Sequence, residues 1–357
     1  MLHSQVLGTP GEVFHISDRM TDTTVASLLE GRDAAGAGVL ANVRFGTYGA
    51  GPTLAGGAVE LPIHMTHGRQ HEFTETWSAA QAVTTGRYEE LVYAHDDERL
   101  FCAGYIPASG GYARDAERAY SHIFELTDQL GFPDLFRMWN YLGSINDPNE
   151  SGMETYRDFC VGRAEAFAFH GKDMPAATGA GSLGDGLSFY LLSGRMGSAT
   201  HIENPHQVPA YRYPVRYGPK APSFARATYL AQAGGNGESQ RLFISGTASI
   251  IGHETQHVGD VEAQCYVALS NIDQLISAAN LERHDVRIKR DDLRFDAVKV
   301  YVRRSTDIPL VASRCARYFD DRETSIAYLN VDICRSDLLV EIEAIASVRA
   351  QQGYTVE

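Results

Sequence analysis

At 357 residues, with 44% hydrophobic and 21% charged side chains, the chain is long enough to bury one or more sizeable cores and too apolar to be disordered. A net charge of −14 with no block of Lys or Arg argues against nucleic acid and anionic lipid surfaces as partners. No apolar run is long enough to cross a bilayer, and the N-terminal "MLHSQVLGTPGEVFHISDRM" lacks the charged and then apolar order of a secretory leader, so a cytoplasmic protein is expected.

Residues 1–90 read as a β-rich segment. "GVLANVRFG" (38–46) and "GGAVELPIH" (56–64) have the composition of strands. The glycines of "GTYGAGPTLAGGA" (46–58) lack the GxxxxGK[ST] order of a phosphate loop and are read as turns. Nothing in this segment points to catalysis.

A train of elements follows in residues 91–195 and returns in residues 236–357. Its first copy opens in "RLFCAGYIP" (99–107) with an apolar strand expected to end at Gly104 and give way to a loop, then an amphipathic helix in "AERAYSHIFELTDQLGF" (116–132) with apolar residues at i, i+3, i+4 and i+7. A β-rich run "LFRMWNYL" (135–142), a second helix around "TYRDFCVGRAEAF" (155–167) and a closing strand "GLSFYLLSG" (186–194) complete it. The second copy has the same order: "RLFISGTAS" (241–249) with Gly246, a helix in "VEAQCYVALSNIDQLISAANL" (261–281) capped by Asp260, "FDAVKVYVRR" (295–304), "PLVASRCARYF" (309–319) and "DLLVEIEAI" (337–345). The order βαβαβ is thus expected twice. Between the copies, residues 196–235 form a linker whose "HIENPHQVPAYRYPVRYGPKAPSFARA" (201–227) contains five prolines. These exclude a long helix and leave extended structure able to present Tyr and Arg to a cleft.

The copies differ where chemistry would show. Aligning the Asp185 strand with the Asp337 strand sets Phe189 opposite Glu341, so a carboxylate stands in one copy alone. Residues 331–348, "VDICRSDLLVEIEAIASV", read as one strand whose alternation puts Glu341 and Glu343 on a face with Leu339 and Ile345. A structural strand has little reason to do that. Glu343 is expected to face solvent and Glu341 to be partly buried.

Two further features are weighed and set aside. "HETQH" (253–257) matches H-E-x-x-H, but Gly252 and Gly259 bracket it and its helix starts only near Asp260, so it is read as a polar loop at the cleft entrance and no metal is expected. Cys102, Cys160, Cys265, Cys315 and Cys334 fit neither a disulfide framework nor a CxxC site.

The second copy, from "LFISGTAS" through "GDVEAQCYVALSNIDQLI" and "DAVKVYV" to "VDICRSDLLVEIEAIA", resembles the RidA (YjgF) family, with its SG-containing strand, its Q-x-x-x-x-L-x-N-I helix and its closing IEIEA strand. The whole chain, with "YRDFCVGRAEAF" and "VPAYRYPVRYGP", looks more narrowly like the chorismatases, which remove pyruvate from chorismate. The resemblance implies an α+β fold of tandem RidA/YjgF-like domains, mixed sheets packed on helices. It also implies one internal cleft of the kind a RidA trimer makes between subunits, so that a monomer would suffice.

Chorismate carries two carboxylates and an enolpyruvyl ether, and binding it calls for fixed cations and hydrogen-bond donors. Arg163, Tyr211, Tyr213, Arg216, Tyr217, Arg303 and Arg314 are the candidates, with Arg163, Tyr211 and Arg303 favoured by the resemblance. Glu341 is the expected general acid toward the methylene carbon, with no metal or organic cofactor. Cys334 occupies a position at which 3-hydroxybenzoate-forming members resemble this sequence, and a thiol of lowered pKa there would relay a proton during aromatisation. The small residue expected to steer the product is Thr247 or Ala248. Chorismate hydrolysis to a dihydroxycyclohexadiene carboxylate, 4-hydroxybenzoate formation, RidA-like imine deamination and non-catalytic ligand binding are the competing readings.

Overall fold

The computed structural model describes residues 15–17, 38–46, 49, 51–67, 72–79, 81–197, 199–231, 240–319 and 324–348. Most of the stretch read for a leader lies outside them.

Three large mixed sheets carry these residues. The N-terminal sheet is built on β1 (Gly38–Gly46), β2 (Ala58–His64) and β3 (Phe73–Ala79), with β1 between the other two. Its edges are the short strands Thr53–Ala55 and His15–Ser17.

The middle sheet holds the first copy: β4 (Arg99–Ile106), α1 (Ala113–Leu130), β5 (Asp134–Gly143), α2 (Thr155–His170), β6 (Ala176–Ser182) and β7 (Leu187–Gly194). The third holds the second: β8 (Ala227–Leu230), β9 (Arg241–Ala248), α3 (Val261–Leu275), β10 (Leu293–Val302), α4 (Ile308–Phe319), β11 (Ser325–Asn330) and β12 (Val340–Val348). The spatial orders β6-β5-β7-β4 and β11-β10-β12-β9 are the same, and in both the first pair is parallel. The expected α+β duplication is therefore present.

Two expectations need correction. Each copy is βαβαββ, because β6 and β11 intervene before the closing strand. The sequence of β6, "AATGAGS", is poor in the β-branched and aromatic residues by which strands are read. The closing strand begins at Val340, and residues 331–339 are a loop, bent where the Leu338 amide donates to the Arg335 carbonyl.

Local chemistry explains the helix ends. Asp260 caps α3 by accepting from the Ala263 amide at 3.0 Å, and α1 stops at Gly131, whose φ of 77° is the left-handed conformation that glycine adopts freely. Helices α1 and α2 cover one face of the middle sheet, and α3 and α4 cover one face of the third. The opposite faces meet each other and the N-terminal sheet in a common core containing Trp77, Trp139, Tyr190, Phe243 and Tyr301. As a result β12 is buried on both faces, and Glu343, expected at the surface, is 3% exposed.

Candidate active site

Between the two copies lies a cavity of about 180 Å3 with Glu341 in its wall. Glu341 projects from β12 and is 4% exposed. The β9–β12 ladder slips register between Ile244 and Thr247, and the slip brings Gly246 under the Glu341 carboxyl. A Cβ at Gly246 would collide with Glu341 Oε1, so a side chain there is incompatible with this placement. In the first copy Gly104 lies under the Phe189 ring in the same way, across a regular ladder. One geometric device thus holds a benzyl group in one copy and a carboxyl in the other.

Glu343, two residues along β12, is a fully engaged carboxylate. Its Oε1 accepts from Trp139 Nε1 at 2.7 Å, and its Oε2 accepts from Arg137 Nη2 at 2.8 Å, Thr178 Oγ1 at 2.5 Å and Tyr301 OH at 3.1 Å. Burial by itself would raise its pKa, but Lys299 and Arg137 outweigh that and hold it below the usual carboxylate value. Among the described residues Glu341 has no such partners. The Cys334 thiol, 3.9 Å from its Oε2, is its hydrogen-bond neighbour. Burial first, and then the charge of Glu343, push Glu341 up to about 8, so the neutral acid predominates at pH 7. Cys334 is half-buried at the surface of the cavity, and desolvation followed by Glu341 raises its pKa well above the ordinary thiol value. It is a thiol, not a thiolate.

Three arginines line the cavity. Arg226 donates from Nη2 to Val208 O at 3.0 Å and Tyr213 OH at 2.7 Å, while its Nε is buried without a partner among the described residues. Arg335 stacks on the Tyr217 ring at 4.0 Å and donates from Nη1 to His253 O at 2.9 Å. Neither is paired with a carboxylate among the described residues. Arg157, on α2, reaches Glu154 at 3.6 Å and is half exposed. Such cations in a semi-enclosed cleft favour an anionic ligand, and Tyr156, Tyr213, Tyr217 and Phe224 supply flat apolar walls.

Of the residues read from the sequence, Glu341, Cys334, Ala248, Tyr213 and Tyr217 meet at this cavity. Thr247 is buried beside it and donates to Ser245 O. Arg216 sits at the exposed rim, bound to Glu254 and His253, and Tyr211 is 37% exposed outside the lining. Three arginines lie elsewhere. Arg163 turns into the first copy's core, over Tyr120 and Phe167. Arg314 pairs with Glu262 on the surface. Arg303 donates to the carbonyls of Leu338, Ile333 and Arg335, so it shapes the loop that carries Cys334 rather than the cavity itself. Arg157 and Arg226 were not singled out in the sequence. Arg157 shares α2 with Arg163, and only the helix's facing decides between them.

The HETQH residues form a hairpin of Ile250–Ile251 with Glu254–Thr255, followed by His257 at φ 52°, so the imidazoles are not stacked on a helix. Among the described residues no group of three His, Cys, Asp or Glu is placed to hold a metal ion. No helix of the described residues is long and apolar enough to cross a membrane. All five cysteines are free and all but Cys334 are buried.

Comparison with known proteins finds relatives over most of the chain. The family model described as "Chorismatase FkbO/Hyg5-like, N-terminal" matches residues 75–193. A 3-hydroxybenzoate synthase of Streptomyces hygroscopicus is 47% identical over 313 residues, spanning 87% of this chain and 92% of that protein. A chorismatase of Streptomyces rapamycinicus is 44% identical over 300 residues, spanning 83% and 89%. A crystal structure of a chorismatase superposes with a TM-score of 0.82 at 40% identity, covering 93% of this chain and 97% of that one.

Proposed function

Because this chain belongs to the chorismatase family, we propose that it releases pyruvate from chorismate and forms mainly 3-hydroxybenzoate. The observation that carries the reading is Glu341, a neutral carboxyl in a cavity lined by cations. An enol ether is cleaved by protonating its methylene carbon, and a buried acid with a pKa near the working pH is suited to that task. Arg226 and Arg335 are free of carboxylate partners among the described residues and would meet the two carboxylates of the substrate, with Arg157 at the mouth and the ring held against Tyr213 and Tyr217.

Glu341 gives its proton to the methylene carbon, creating an oxocarbenium centre. The neighbouring ring hydroxyl then attacks the ether-bearing ring carbon, the ring C–O bond breaks, and pyruvate leaves with the ether oxygen. The hydroxyl proton returns to the Glu341 carboxylate. Opening of the strained ring oxygen takes up one proton and aromatisation releases one from the ring carbon, so chorismate becomes pyruvate and 3-hydroxybenzoate with no water consumed. The route needs no metal or organic cofactor. Because Cys334 is a neutral thiol, we assign it a donor role toward Glu341 Oε2 and a steric one beside the ring, not that of a base. Ala248, which lines the cavity opposite Glu341, is the small residue of the pair 247/248 that faces the ring. One chain supplies the acid and the cations of the cavity, which supports the reading of a monomer, and buried free cysteines fit the cytoplasm.

Purified protein incubated with chorismate in ¹⁸O-labelled water, with pyruvate trapped at once as lactate, tests this reading. Expected are 3-hydroxybenzoate and unlabelled lactate. Labelled lactate with the non-aromatic diol would establish hydrolysis instead, and no pyruvate above background would remove the activity.

A further inference from the structure

Behind the cavity, four buried charges from all three sheets form one connected cluster. Lys299 of β10 pairs with Glu75 of β3 at 2.7 Å and with Glu343 of β12 at 3.1 Å, and Arg137 of β5 pairs with Glu343 at 2.8 Å. None of the four side chains is more than 4% exposed. Glu75 Oε1 also accepts from Trp77 Nε1 at 2.8 Å and Tyr190 OH at 2.9 Å. The cluster holds two cations and two anions. Glu341 stands next to it on the same face of β12, with no ion pair of its own among the described residues.

We propose that the cluster Glu75–Lys299–Glu343–Arg137 is charge-balanced so that it presents no net positive charge to Glu341, which makes Glu75 and Lys299 positioning residues that keep the proton on the donor. The inference rests on the reading of Glu341 as proton donor. It gives the N-terminal sheet a part in the chemistry, through a residue outside the cavity. Two cations in the cluster would by themselves draw the proton off any carboxyl beside them, and Glu75 and Glu343 cancel that field. Burying four charges is costly compared with apolar packing, so a role for their sum is a better account than cohesion alone. Other groups face Glu341 too. Tyr301 lies opposite it on β10, Tyr156 and Arg157 come from α2, and Cys334, Arg335 and Asp337 come from the 331–339 loop. Arg226 precedes β8 and Glu154 precedes α2, while β9 contributes only the uncharged Gly246 and Ala248.

The test is the alkaline limb of the kcat/KM profile for pyruvate release, together with a substrate-free infrared titration of the neutral-carboxyl band that Glu341→Gln abolishes. Glu75→Gln leaves one net positive charge, and both readouts should move down by about one pH unit. Lys299→Met leaves one net negative charge, and both should move up. Loss of stability alone moves neither readout. If Glu75→Gln does not fold, Lys299→Met carries the same test with the opposite sign. Readouts that stay in place in folded variants, or that move the same way in both, overturn the inference. If Glu341→Gln keeps its rate while the infrared titration shifts as stated, it is the donor reading that fails and the charge balance that stands.

Discussion

Glu341→Gln preserves shape and hydrogen bonding but has no proton to transfer, so pyruvate release should fall by about 10²–10⁴-fold while the melting curve at neutral pH stays cooperative. Retention of more than about a tenth of the rate would take Glu341 out of the mechanism. Cys334→Ala should leave pyruvate release largely intact but lower the share of 3-hydroxybenzoate in favour of the diol, read by chromatography, because the void beside Glu341 admits water to the oxocarbenium centre. An unchanged product ratio would show the thiol to be a bystander. Glu341 was legible in the sequence as a carboxylate present in one repeat and absent from the other. Glu343 was misread as solvent-facing because strand alternation identifies a face but not what covers it, and here a second sheet does. That Arg226 and Arg335 have no carboxylate partner among the described residues was illegible for the same reason: an arginine's partners are set by residues far away in the chain.

The register slip in β9 is the element on which the site turns. Gly246→Ala should abolish activity by displacing the Glu341 carboxyl, whereas Gly104→Ala should chiefly destabilise the protein, because the Phe189 ring above it belongs to the core. Comparing kcat and melting temperature for the pair distinguishes the two outcomes, and an active Gly246→Ala enzyme would show that the carboxyl can work elsewhere. The helices were readable because their apolar spacing and the Asp260 cap are local signals. The bulge was not, since it depends on how two strands 90 or more residues apart are paired. The HETQH hairpin shows the limit of a short motif: its glycines were visible, and the backbone they produce is a turn. Treatment with a strong chelator should leave pyruvate release unchanged and His253→Ala should alter it only slightly. Stoichiometric zinc lost together with activity would reverse this.

The whole molecule inherits the cost of its donor. The folded chain keeps a proton on Glu341 to about pH 8, whereas the unfolded chain releases it near 4.5, so the native state binds one more proton across that window and stability falls as pH rises through it. The full effect is on the order of 4–5 kcal/mol at the top of the window, from 3.5 units at about 1.4 kcal/mol each. Glu343 works the other way, contributing stability above its unfolded pKa that is lost only as pH falls below the carboxylate range. Denaturant melts of Glu341→Gln should therefore show a flatter decline between pH 5 and pH 8.5 than the parent chain; parallel declines would mean that the buried carboxyl does not titrate in that range. The duplication was legible in the order of elements, but the N-terminal sheet's place in the common core was not, because nothing in residues 38–79 signals which partner their apolar face will find. That two unlike copies share one chain has a further consequence. An assembly of identical subunits changes every equivalent position with each substitution, whereas here Phe189 and Glu341 occupy equivalent places and have diverged independently. Only one of the two equivalent positions had to remain a reagent, and the other was free to join the core.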